Sequence, residues 1–286
     1  MDDIWNDIKS IFTHPQKGLM KIIITNCIIF MAIIATKVIF ILGNDSLKYN
    51  TLFNWISLSN QYTFAYYKPW TFISYFFVHA EIFHLLFNMA ILYWFGTILS
   101  DFTGEKQVVK LYFLGGIAGG IAYLLVSNSL SYFIMRGPAL LNGASASIYA
   151  IVVAAATIRP NYRVSLFFFG MIPIKYISIF YVIWSFIETT GGNAGGNIAH
   201  LGGALMGYLF GLNFRKKWII HQTERPKVVS YIGSLKSEFY PHAEQEESEI
   251  EEDELNEILD KISKSGYDSL NKFEKRRLFK ASQKNN

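Results

Sequence analysis

Three stretches far apart in the chain, FVHAEIFHLLFNM, NGASASIY and IAHLGGALMG, place reactive side chains inside runs apolar enough to cross a bilayer. They carry His79, His84 and Asn88, then Ser145, then His200. Ionisable and hydrogen-bonding groups are costly in lipid, so their presence there points to a pathway, a partner or a reaction. A serine needs a base to become a nucleophile, and acyl transfer needs donors for an oxyanion. His84 and Asn88 are spaced to share one helical face, where an imidazole N–H and an amide NH2 can aim at one point. Taken singly, His84 and Asn88 read equally as bonds from helix to neighbouring backbone, and Ser145 as a small residue at a tight helix contact. Tyr149, one turn after Ser145, could pack on an imidazole or fill the core.

The elements that must position these groups follow from composition and periodicity. Hydrophobic residues make up 51% of the chain and charged residues only 17%, and mean hydropathy is +0.24, too apolar for an ordinary soluble domain. The net charge of +4 is modest and gives no reason to expect nucleic acid. Cys27 is the only cysteine, so no disulfide framework forms within one chain. The N-terminus carries Asp2, Asp3 and Asp7 and no cleavable signal pattern.

Residues 1–20 read as an amphipathic segment, with Ile4, Trp5, Ile8, Ile11 and Phe12 at helical spacing. Spans are expected at about 21–42, 83–99, 108–126, 143–158, 174–188 and 197–214. Residues 43–78, crowded with Trp55, Tyr66, Tyr67 and Trp70, read as a loop half sunk in one leaflet, and 164–172 as an interfacial stretch. Lys9, Lys17, Lys21, Lys106, Lys110, Arg159, Arg163 and Arg215–Lys217 outnumber Lys48, Lys68 and Arg136 on the opposite loops. The expectation is a multi-pass protein of the cell (cytoplasmic) membrane with both termini cytoplasmic.

Ser145 then begins the fourth span and His200 the sixth, both from the outer side, so hydroxyl and imidazole lie at similar depth. Gly203, Gly207 and Gly211 give the sixth span a smooth face to press on the small residues of the fourth. Residues 216–286 are expected to form a cytoplasmic tail. In it the acidic block 244–254 stays solvated, and a short helical hairpin follows, the second helix opened by a capping box of Asn271 and Glu274.

H-x4-H-x3-N in the second span, G-x-S in the fourth and A-H-x-G-G in the sixth, in this order, resemble the signatures of the rhomboid family of intramembrane serine proteases. The likeness covers about residues 20–214, and the tail resembles those of some bacterial members. It implies an all-α, six-transmembrane-helix bundle over 21–215. It further implies Ser145 as nucleophile, His200 as general base, and an oxyanion held by His84, Asn88 and the Ser145 N–H. His79 and Tyr149 would support the site, Gly143 would permit the turn before Ser145, and residues 188–197 would cap it. The chain departs from the family pattern where Thr71 follows Trp70 and where Ala146 follows the nucleophile.

The expected function is thus a serine endopeptidase acting on single-span membrane proteins near the outer face of the bilayer. No cofactor and no metal are expected. A catalytically silent relative that binds and escorts membrane proteins would share the fold. A proton-coupled transporter would call for two related halves, which the sequence does not show.

Overall fold

The computed structural model describes residues 17–166, 170–239 and 252–265, together with residues 11, 269–271, 274, 275 and 278. The expected N-terminal amphipathic segment lies outside the described residues except for Ile11 and the residues that lead into the first span. Among the described residues, the bundle read from the sequence is formed by the apolar helices Gly18–Leu42, Ile82–Thr103, Glu105–Ser129, Ser145–Ile158 and Ile174–Ile187 and by the first part of Ala194–Phe239. Gly18–Leu42, Ile82–Thr103 and Glu105–Ser129 are each long and apolar enough to cross a membrane. Large apolar side chains point outward along these spans, among them Met31, Ile39, Phe87, Tyr93, Phe180 and Phe186. A belt of this extent fits lipid rather than water.

The fourth span is the axis of the core. Every residue from Ala146 to Ala156 is buried, and it packs against the second, third and fifth spans. Its alanines and serines let neighbours approach closely. Its 14 residues extend about 21 Å, against a hydrocarbon layer of about 30 Å. The sixth span comes closer than any side chain would permit. A Cβ on Gly203 would stand 2.0 Å from the Ala146 carbonyl oxygen, and one on Gly207 2.2 Å from that of Ala150.

Between the first two spans the aromatic stretch folds into short helices, Ser46–Ile56, Tyr62–Tyr67 and Thr71–Ser74, rather than an irregular loop. Trp55 and Trp70 stack at 5.5 Å, and the Trp70 indole N–H donates to the Trp55 carbonyl at 2.8 Å. Thr71 is buried and its hydroxyl donates to the Lys68 carbonyl at 2.7 Å. A threonine thus holds this corner of the loop through its own hydrogen bond. Leu58–Ser59 pairs antiparallel with Leu140–Leu141, tying the loop to the segment that leads into Ser145.

The stretch read as merely interfacial before the fifth span is a β-ribbon, Arg163–Leu166 paired with Gly170–Pro173. Val164 opposite Ile172 supplies the β-branched pairing that favours a strand over an amphipathic surface segment.

The chain divides into two units, Met1–Ile219 and Ile220–Asn286. In the second, Glu252–Ser265 is helical, so the end of the acidic block is ordered where a solvated chain was expected. Acidic side chains favour the first turn of a helix, where they meet its positive end. Residues 244–251, Phe273 and Phe279 lie outside the described residues. Asn271 Oδ1 accepts from the Glu274 N–H at 2.9 Å, and Glu274 Oε2 accepts from the Asn271 N–H at 2.7 Å. That reciprocal pair is a capping box, and Lys261 reaches the same carboxylate at 2.8 Å.

Candidate active site

Ser145 is the first residue of the fourth span, so its backbone N–H has no acceptor within the helix. The turn before it depends on Gly143, whose φ of +113° lies where side-chain-bearing residues are strained. The Gly143 N–H is held by the Tyr75 carbonyl at 3.0 Å. His200 sits near the start of the sixth span, and its Nε2 lies 2.7 Å from Ser145 Oγ. Both residues are half-buried. The close approach at Gly203 and Gly207 brings the two helices near enough for this contact.

His84 and Asn88 converge on the same turn. A Cβ on Gly143 would lie 2.8 Å from His84 Nε2 and 3.8 Å from Asn88 Nδ2, so the missing side chain leaves room for both. Asn88 is buried, and its amide donates one hydrogen to His79 Nε2 at 3.0 Å. The Ala144 N–H approaches the same nitrogen at 3.4 Å. His79 is fully buried, and its ring meets that of His84 edge to face at 5.1 Å. It therefore orients the amide and the turn from behind. With one amide hydrogen on His79, the other is left for a second acceptor.

Tyr149 stacks on His200 with ring centroids 4.3 Å apart and planes 11° from parallel. Ser185, on the fifth span, was not singled out in the sequence. Its Oγ donates to Tyr149 Oη at 2.8 Å and lies 3.1 Å from His200 Nδ1. The one sequence signal is spacing: Ser178 and Ser185 are the two serines of the fifth span and fall seven residues apart on one face. The segment 188–197 folds as a short turn, Glu188–Thr190, before the sixth span. Tyr132 donates to its Thr190 carbonyl at 2.6 Å and Arg136 to that of Gly191 at 3.1 Å. Among the described residues no group of three or more His, Cys, Asp or Glu side chains could hold a metal ion.

Fold and site together define a polytopic all-α membrane protein with a serine and a histidine hydrogen-bonded inside its bundle. Residues 67–217 match the rhomboid domain, and the chain belongs to the rhomboid family. Residues 244–284 match a further family, DUF6576, of unknown function. The chain is similar to RHOMBOID-like protein 12, mitochondrial, of Arabidopsis thaliana, at 30% identity over 49% of this chain and 45% of that one. It is also similar to Rhomboid protein 1, mitochondrial, of Saccharomyces cerevisiae, at 30% identity over 47% of this chain and 39% of that one. Rhomboid-like protein 16, chloroplastic, of Arabidopsis thaliana matches at 26% identity over 72% and 68%. The chain spans less than half the length of the first two.

These likenesses overturn the expected placement in a cell membrane, because the relatives are named for mitochondria and a chloroplast and point to an organelle. The physical reason is plain. Lysine and arginine placement orients spans relative to whichever bilayer holds them and carries no address.

Proposed function

We propose that the chain is an intramembrane serine endopeptidase of an organellar membrane, cleaving single-span membrane proteins. The observation that carries this reading is the 2.7 Å contact between Ser145 Oγ and His200 Nε2, made by two different spans. His200 takes the Ser145 proton as Oγ attacks the scissile carbonyl, and returns it to the departing amine. The Ser145 N–H, His84 and Asn88 donate to the oxyanion, aimed at the space that Gly143 leaves open. Water then cleaves the acyl-enzyme, with His200 again as base.

A transmembrane substrate shields its carbonyls in helical hydrogen bonds, so the segment must open before Oγ can attack. Substrates with glycine, proline or small polar residues at the depth of Ser145 open at least cost. The face is the one opposite the Lys- and Arg-rich loops. The fifth span, packed on the fourth and otherwise exposed, is the side from which such a segment comes.

The test is cleavage of a single-span reporter in nanodiscs by purified protein, with the cut mapped by mass and serine reactivity read with a fluorophosphonate. Cleavage and labelling both vanish in Ser145→Ala, and cleavage vanishes in His200→Ala. A folded wild type that binds the reporter yet neither cuts nor labels would instead be an escort protein.

A further inference from the structure

His200 needs its Nε2 lone pair directed at Ser145, and nothing about a serine–histidine pair alone guarantees that. A neutral imidazole carries its proton on one nitrogen or the other, and the partner of the far nitrogen decides which. At Nδ1 that partner is Ser185 Oγ, 3.1 Å away. A hydroxyl has one hydrogen and two lone pairs. Directing its hydrogen to Tyr149 Oη, 2.8 Å away, leaves the Ser185 oxygen only lone pairs to offer Nδ1. Nδ1 then bears the proton, and Nε2 is left free to receive that of Ser145.

We propose that Ser185 is a positioning residue: it accepts the Nδ1–H of His200, fixes the tautomer able to act as base, and ties that state to the seating of the fifth span. Ser185 takes no proton itself. When His200 becomes imidazolium during attack, the same lone pair and the Tyr149 ring face support the new charge. Tyr149 thereby serves twice, stacking on the imidazole and ordering the hydroxyl that orients it. Ser185 is fully buried, whereas Phe180, Ile183, Trp184 and Phe186 on the same helix are exposed. Drawing this helix aside to admit a substrate also draws Ser185 from Nδ1. The base is aligned once the helix has returned, which places closure before acyl transfer.

The consequence for turnover rests on the proteolytic reading, but the tautomer does not, and the experiment separates them. Full-length protein with ring-15N histidine in nanodiscs gives the His200 signals, assigned by their loss in His200→Ala. Wild type is expected to show a protonated Nδ1 and an unprotonated Nε2. Ser185→Ala should give a tautomer mixture, and Ser185→Thr, which keeps the hydroxyl, should restore the wild-type pattern. An unchanged pattern in Ser185→Ala overturns the proposal whether or not the protein cleaves anything. In the reporter assay, Ser185→Ala should lower kcat about ten-fold at constant KM, the size of one lost hydrogen bond. A raised KM with kcat intact would mark a merely structural serine. A wild type with the expected spectra but no cleavage or labelling sustains the positioning role and removes the protease.

Discussion

Gly143 carries two constraints at once. Its φ is +113°, and a Cβ there would stand 2.7 Å from His84 Cε1. Gly143→Ala should therefore displace the His84 ring and strain the turn by about 1–2 kcal/mol. The expected result is fluorophosphonate labelling of Ser145 slowed at least 100-fold, the scale of one lost oxyanion donor, while melting of the bundle changes little. Asn88→Ala should lower kcat by about 10²–10³-fold for the same reason. His79→Gln should cost less, because His79 holds the amide rather than donating to the reacting oxygen. Ser145, His200, His84 and Asn88 were legible because polar groups at membrane depth are few. Ser185 was not, because a serine inside a span reads as packing until its partner is known. Its partner is a histidine 15 residues on, across a turn whose path the sequence does not reveal.

The glycine face of the sixth span sets how close the two reacting helices come. Gly207→Val forces a side chain into the Ala150 carbonyl, 2.2 Å from the Cβ position. Overpacking of this kind costs about 1–3 kcal/mol. The variant should melt lower in detergent and lose reporter cleavage together, since separation of the spans lengthens the contact between Ser145 and His200. The six helices could be read from apolar run length, but the β-ribbon before the fifth could not. Val164, Met171 and Ile172 are as apolar as an interfacial helix would be, and the pairing that makes them strands is a relation between two segments. Thr71 gives the same lesson. Its place in the loop depends on a bond to Lys68 and on burial, neither of which its identity announces.

At the scale of the molecule, depth organises everything. Trp94 lies mid-span and part-exposed, whereas Trp55 and Trp70 sit in the aromatic loop. In single-tryptophan variants, bromines deep in the acyl chains should quench Trp94 most, and bromines near the headgroups should quench Trp55 and Trp70 most. Equal quenching at all depths would mean that the loop does not lie at the interface. The second unit obeys ordinary aqueous electrostatics. Lys261, and then the Asn271 N–H, hold the Glu274 carboxyl below its usual range. A depressed carboxyl stabilises the folded form above its unfolded value, and that contribution disappears as pH falls through the folded one. Hydrogen exchange at residues 269–275 of the full chain should accordingly speed up in acid while the spans stay protected.

By itself the sequence carried the apolar runs that become the helices of the bundle and the ordered motifs that mark the family. These follow from run length and motif order, each of them local to a segment. Only the tertiary structure decided which nitrogen of His200 faces the serine, how Gly143 makes room for two donors, and that the fifth span touches the base. Those are relations between helices, fixed by packing to fractions of an ångström, and no single segment contains them. Neither carries the identity of the host membrane, because a span is held by hydrocarbon thickness and charge, which different bilayers share.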